Sequence, residues 1–113
     1  MSAPLDATEA TLVAVILSHA DARPDAQALV CGDETLTWSA LRTRVLDLAG
    51  RIVASAPGGE GRVGLAGHTS IGMVVAYLAT VAAGRCAVPL PISASPEALA
   101  GMLDNAAPDL VFA

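Results

Sequence analysis

The sequence predicts an α/β fold in which an N-terminal helix and a β-hairpin precede a βαβαβ unit, the beginning of a parallel sheet. Three observations point there. After residue 61, short apolar runs alternate with helical segments, the texture of parallel strands joined by crossover helices. Between Trp38 and Ala56 the apolar residues Leu41, Val45, Leu48 and Ile52 recur at spacings of four, three and four, the period of a helix. Gly32-Asp33-Glu34 separates two short strand-like runs, as a hairpin turn does.

In chain order, Thr8 reads as the cap of a first helix that runs to about Ala20, with Glu9 suited to the positive helix end. Arg23-Pro24-Asp25 breaks it. Gln27 to Cys31 and Thr35 to Thr37 then form the hairpin, with Gly32 supplying backbone freedom at the turn. Thr37 caps the long helix from Trp38, on which Asp47 and Arg51 make an exposed i,i+4 pair. Pro57-Gly58-Gly59 ends that helix, and 57–61 is a loop rather than a domain linker. The strands of the second half are Arg62 to Ala66, Cys86 to Leu90 and Asp109 to Phe112. Between them lie helices near Ile71–Ala83, apolar nearly all round and so covered on several sides, and Pro96–Ala106. Ser95-Pro96-Glu97 is a strong helix start: Ser caps, Pro fits the first position and Glu meets the dipole. Val63, Leu65, Val88, Leu90, Leu110 and Val111 are predicted to be buried, because parallel strands covered on both faces read as continuous apolar runs.

Composition bounds the function. A chain of 113 residues is one unit or part of one. Apolar residues make up 54% and charged residues 15%, against about 45–50% and about 25% in typical domains. A short chain has much surface for its volume and should be more polar than average, so the excess implies apolar surface meant for something else. The net charge is −5 and the six arginines are scattered, which argues against nucleic acid. The longest apolar stretch, Ile71 to Gly84, falls short of the roughly 20 residues a membrane span needs. Cys31 and Cys86 have no metal-ligand spacing and no secretory signal precedes the first helix, so buried free thiols in a reducing cytoplasm are expected.

Three sets of residues carry a resemblance. Ala22-Arg23-Pro24-Asp25-Ala26-Gln27-Ala28-Leu29-Val30 leads to Leu36-Thr37-Trp38-Ser39-Ala40-Leu41. Arg62-Val63-Gly64-Leu65 is followed by Val75-Ala76-Tyr77-Leu78-Ala79 and by Ala83-Gly84-Arg85-Cys86-Ala87-Val88-Pro89-Leu90. Ser95-Pro96-Glu97-Ala98-Leu99 continues through Met102-Leu103 to Leu110-Val111-Phe112. In this order and at these separations they resemble the opening of the adenylate-forming (AMP-binding) superfamily of acyl-CoA ligases, peptide-synthetase adenylation domains and luciferases. Trp38 stands where that family usually has Tyr. The resemblance covers nearly the whole chain from about residue 10 and makes residues 1–113 a single, incomplete N-terminal part of the large ligase domain.

The resemblance implies a reaction in which a carboxylate attacks the α-phosphate of Mg·ATP and a thiol, such as that of CoA, intercepts the acyl-adenylate. The family's phosphate loop with its Lys, its acidic motif, its ribose Asp and its C-terminal-domain Lys do not match any residues here, and the sequence has no lysine. No catalytic, cofactor-binding or metal-binding residue is therefore assigned. ATP, Mg and CoA are expected for the complete enzyme, and this segment is expected not to be catalytic by itself.

Four lesser candidates are weighed and set aside. Gly59-Glu60-Gly61-Arg62-Val63-Gly64 spells G-x-G-x-x-G, but it leads into a strand, whereas a dinucleotide fingerprint opens a helix. Gly67-His68-Thr69-Ser70 lies at the C-terminal end of a strand, where open sheets bind ligands, yet a turn with Ser70 as helix cap accounts for it. His68-Thr69-Ser70-Ile71-Gly72 lacks the first Gly of a nucleophile elbow. His19, near the end of the first helix, is read as solvated or capping, and two histidines without paired cysteines give a metal no footing.

The function read from the sequence is the N-terminal part of an ATP-dependent carboxylic acid–CoA ligase. A Met start with no upstream carrier or condensation domain favours that over the start of a peptide-synthetase adenylation domain. The competing class is a stand-alone interaction or regulatory module, which needs a polar surface that a mean hydropathy of +0.60 does not suggest. The expected partners are the remainder of the ligase chain, or a second copy through exposed apolar surface.

Overall fold

The computed structural model describes residues 4–55, 61–68, 70–108 and 110–112, with side chains described from residue 13 onward. Its elements are α1 (Pro4–Ala22), β1 (Gln27–Cys31), β2 (Glu34–Thr37), α2 (Trp38–Ser55), β3 (Arg62–Ala66), α3 (Ile71–Ala82), β4 (Cys86–Leu90), α4 (Pro96–Ala106) and β5 (Leu110–Phe112). This is the predicted mixed α/β order. The first helix differs from its sequence reading: it is described from Pro4, so Thr8 lies inside it rather than capping it.

β1 and β2 pair antiparallel around the turn at Gly32, whose φ of +59° is one that side-chain-bearing residues rarely adopt. α2 starts directly from the hairpin. The Ala40 amide donates to Thr37 Oγ1 at 3.2 Å, the predicted cap, and the Trp38 and Ser39 amides donate to the Ala26 and Pro24 carbonyls. Asp47 and Arg51 pair at 3.4 Å on the exposed side of α2.

The remaining strands form a parallel sheet in the order β4-β3-β5, with Val63 opposite both Ala87 and Leu110. One face of this sheet carries Val63, Leu65, Ala87, Leu110 and Phe112, which pack with Ala76 and Ala79 of α3 and Ala49 and Ile52 of α2. A second cluster, Ile16, Leu41, Val45, Ile71, Val75 and Leu78, joins α1, α2 and α3, with hairpin residues Leu29 and Leu36 against it. α3 is thus wedged between the sheet and two helices, which is why its sequence is apolar nearly all round. Its Thr80, fully buried, donates its hydroxyl to the Ala76 carbonyl at 2.7 Å.

The opposite face is different. Leu90 and Val111 converge over Gly64, where an added Cβ would lie 3.3 Å from each. α4 crosses near this face but has no buried residue. It is fastened at its end, where Arg62 Nη1 donates to the Ala106 carbonyl at 2.9 Å and Ala107 turns into the left-handed region. A cation there also meets the negative end of the helix.

Of the six strand residues expected to be buried, Val63, Leu65 and Leu90 are; Val88 and Leu110 are half-buried, and Val111 is 46% exposed. The reason is positional: β5 is an edge strand and its outward face has little above it. The thiols also depart from expectation. Cys31 is half-buried and Cys86 is exposed, because β4 too is an edge strand. Along α3, expected to be covered on several sides, the exposed large apolar residue is Tyr77.

Candidate functional site

The sheet's connections define where a site would be. β3 leads into α3 on the packed face, and β4 leads through α4 to β5 on the far side of β3. Connections leaving two neighbouring strands in opposite directions open a crevice between their C-terminal ends, the place where open α/β sheets receive ligands.

A cavity of about 290 Å³ occupies that crevice, lined by Leu65, Gly67, Met73, Val74, Tyr77, Pro89 and Leu90. Each wall follows from local structure. Leu65 and Gly67 come from the end of β3, and Pro89 and Leu90 from the end of β4. Met73, Val74 and Tyr77 come from the first turns of α3, which Ser70 holds in place: Ser70 Oγ accepts from the Met73 amide at 3.1 Å. Gly67 allows the close approach of the Met73 side chain, since a Cβ there would fall 2.6 Å from Met73 Cε. The lining is aliphatic except for Tyr77, so the cavity offers shape and apolar contact but no nucleophile, base or cation.

The candidates weighed from the sequence are not gathered here. Ser70 is the helix cap, His68 is exposed, and Thr69 lies outside the described residues. Of the G-x-G-x-x-G letters, Gly59 and Glu60 lie outside the described residues, Gly61 has φ +83°, and Gly64 is buried within β3. His19 is half-buried and does more than cap. Its ring stacks on Trp38 at 4.6 Å, its Nδ1 accepts from Arg23 Nη2 at 3.0 Å, and its carbonyl accepts from the Arg23 amide. With the Asp21–Arg42 pair at 3.1 Å, this stack fastens the end of α1 to the start of α2. Sequence reasoning missed it, since nothing in the spacing of His19 and Trp38 announces a contact across the hairpin.

Nor do the described residues gather the donors that Mg·ATP needs. Among the described residues no three His, Cys, Asp or Glu side chains come together in a way that could hold a metal ion. A triphosphate calls for clustered cationic and amide donors; lysine is absent from the sequence, and four of the six arginines serve elsewhere, Arg23 on His19, Arg42 on Asp21, Arg51 on Asp47 and Arg62 on Ala106. No helix of the described residues is long and apolar enough to cross a membrane.

Fold and crevice together define a crossover α/β unit with an apolar cavity at the C-terminal ends of two of its parallel strands. The family model for AMP-binding enzymes matches residues 16–113, and the chain belongs to that family. It is 38% identical over 73 residues to a medium/long-chain-fatty-acid–CoA/3-oxocholest-4-en-26-oate–CoA ligase of Mycobacterium marinum, covering 64% of this chain and 13% of that protein. It is 37% identical over 98 residues to nonribosomal peptide synthetase 7 of Gibberella zeae, covering 81% of this chain and 2% of that protein. Among solved structures, that of IdnL1 superposes with a TM-score of 0.73 at 23% identity, covering 88% of this chain and 21% of the other, a likeness of fold. The chain spans 1% to 20% of the length of the first relatives it matches.

Proposed function

We propose that residues 1–113 serve as the opening part of the large domain of an ATP-dependent carboxylic acid–CoA ligase, with the chemistry supplied by residues outside them. The observation that carries this reading is the family match over residues 16–113, joined to an arrangement in which, among the described residues, no group of metal-ligating side chains converges. The likeness to the Mycobacterium marinum ligase supports CoA as the thiol. ATP and Mg belong to the same reading, as does a cytoplasmic setting in which Cys31 and Cys86 stay reduced. The role of this segment is structural: it lays down a sheet on whose thinly covered face and open β5 edge the rest of the ligase, or failing that a second copy, packs. A start of a peptide-synthetase adenylation domain is the second reading, favoured by the likeness to nonribosomal peptide synthetase 7.

Carboxylate-dependent ATP–pyrophosphate exchange tests the first reading. The 113-residue species alone is expected to show none, and a complex with a segment spanning the rest of an adenylate-forming ligase is expected to restore it. Exchange by the isolated species would overturn the reading. In the active complex, release of an acyl-CoA marks a CoA ligase, whereas transfer only to a carrier protein marks an adenylation domain. Sedimentation checks the partner proposal: the isolated species should associate with rising concentration and cease to do so once the second segment is bound.

A further inference from the structure

We draw no further inference here: the strongest candidate, the apolar cavity of about 290 Å³ between the C-terminal ends of β3 and β4 and the first turns of α3, carries nothing because nothing in the structure shows what covers it.

Discussion

Val63 and Val111 lie on neighbouring strands of one parallel sheet, yet Val63 is 1% exposed and Val111 46%. They belong to opposite faces. Val63 looks toward α3 and α2, which close over it, whereas Val111 looks toward a side where α4 buries nothing. Both residues sit in apolar runs that read alike in sequence. What separates them is the helix overhead, so an apolar strand reports a capacity for burial and the neighbouring layer decides whether it is met. At about 25 cal/mol per Å² of apolar area removed from water, the packed face holds the larger share of the folding free energy.

The sharpest way to break this comparison is truncation on each side. Ile52→Ala and Leu41→Ala, both in the core, are expected to cost about 2–5 kcal/mol each, the range for large-to-small changes in packed interiors. Met102→Ala on α4, where the side chain is 37% exposed, is expected to cost well under about 1 kcal/mol, the ordinary size of a surface change. Urea unfolding midpoints measure both; comparable losses at Ile52 and Met102 would mean that α4 is packed after all.

Glycines sharpen it next. Gly84, at the turn from α3 into β4, has φ +74°, so Gly84→Ala is expected to cost about 1–2 kcal/mol through backbone strain, although an added Cβ would touch nothing. Gly101, in the middle of α4, has open space around it, and Gly101→Ala is expected to stabilise that helix by about 0.5–1 kcal/mol. Amide exchange, read helix by helix, distinguishes the two: protection should fall around Gly84 and rise along α4.

The smallest contrast is between two serine caps that make the same hydrogen bond. Ser70 and Ser95 each accept from the amide three residues on at 3.1 Å. Ser70→Ala is expected to lower global stability by about 1 kcal/mol, because α3 is in the core. Ser95→Ala should loosen α4 locally and move the global midpoint less, since none of its residues is buried. Equal shifts in the two midpoints would count against a division between the faces.

Local chemistry was legible in the sequence and the third dimension was not. The bounds of β3, β4 and α4, the hairpin turn at Gly32 and the caps Thr37, Ser70 and Ser95 follow from residues within a turn of one another. Thr8 followed by Glu9 imitates a helix start, yet both lie inside α1. The exposure of Cys86 and Val111 depends on β3 lying between β4 and β5, an order that no local pattern encodes. The crevice follows from the same order, and although Gly67 reads as lying at a strand end, its place beside Met73 and Pro89 required knowing which strand lay alongside. The His19–Trp38 stack needed the hairpin to fold back before the two rings could meet.

The placement of β3 between its two partners also sets a timetable for the chain. Its first partner, β4, arrives after one helix, but its second comes only with the last described residues, and the Arg62–Ala106 bond that fastens this return spans 44 positions. Closing so long a loop costs chain entropy before the pairing can repay it. On a ribosome, which extends the N-terminal part first, α1, the hairpin, α2 and the β3–α3–β4 crossover would have their contacts at hand while β3 waited with one side open. The central strand would be the last to be completed, and a chain stopped before residue 110 would keep its core yet display the middle of its sheet as an edge.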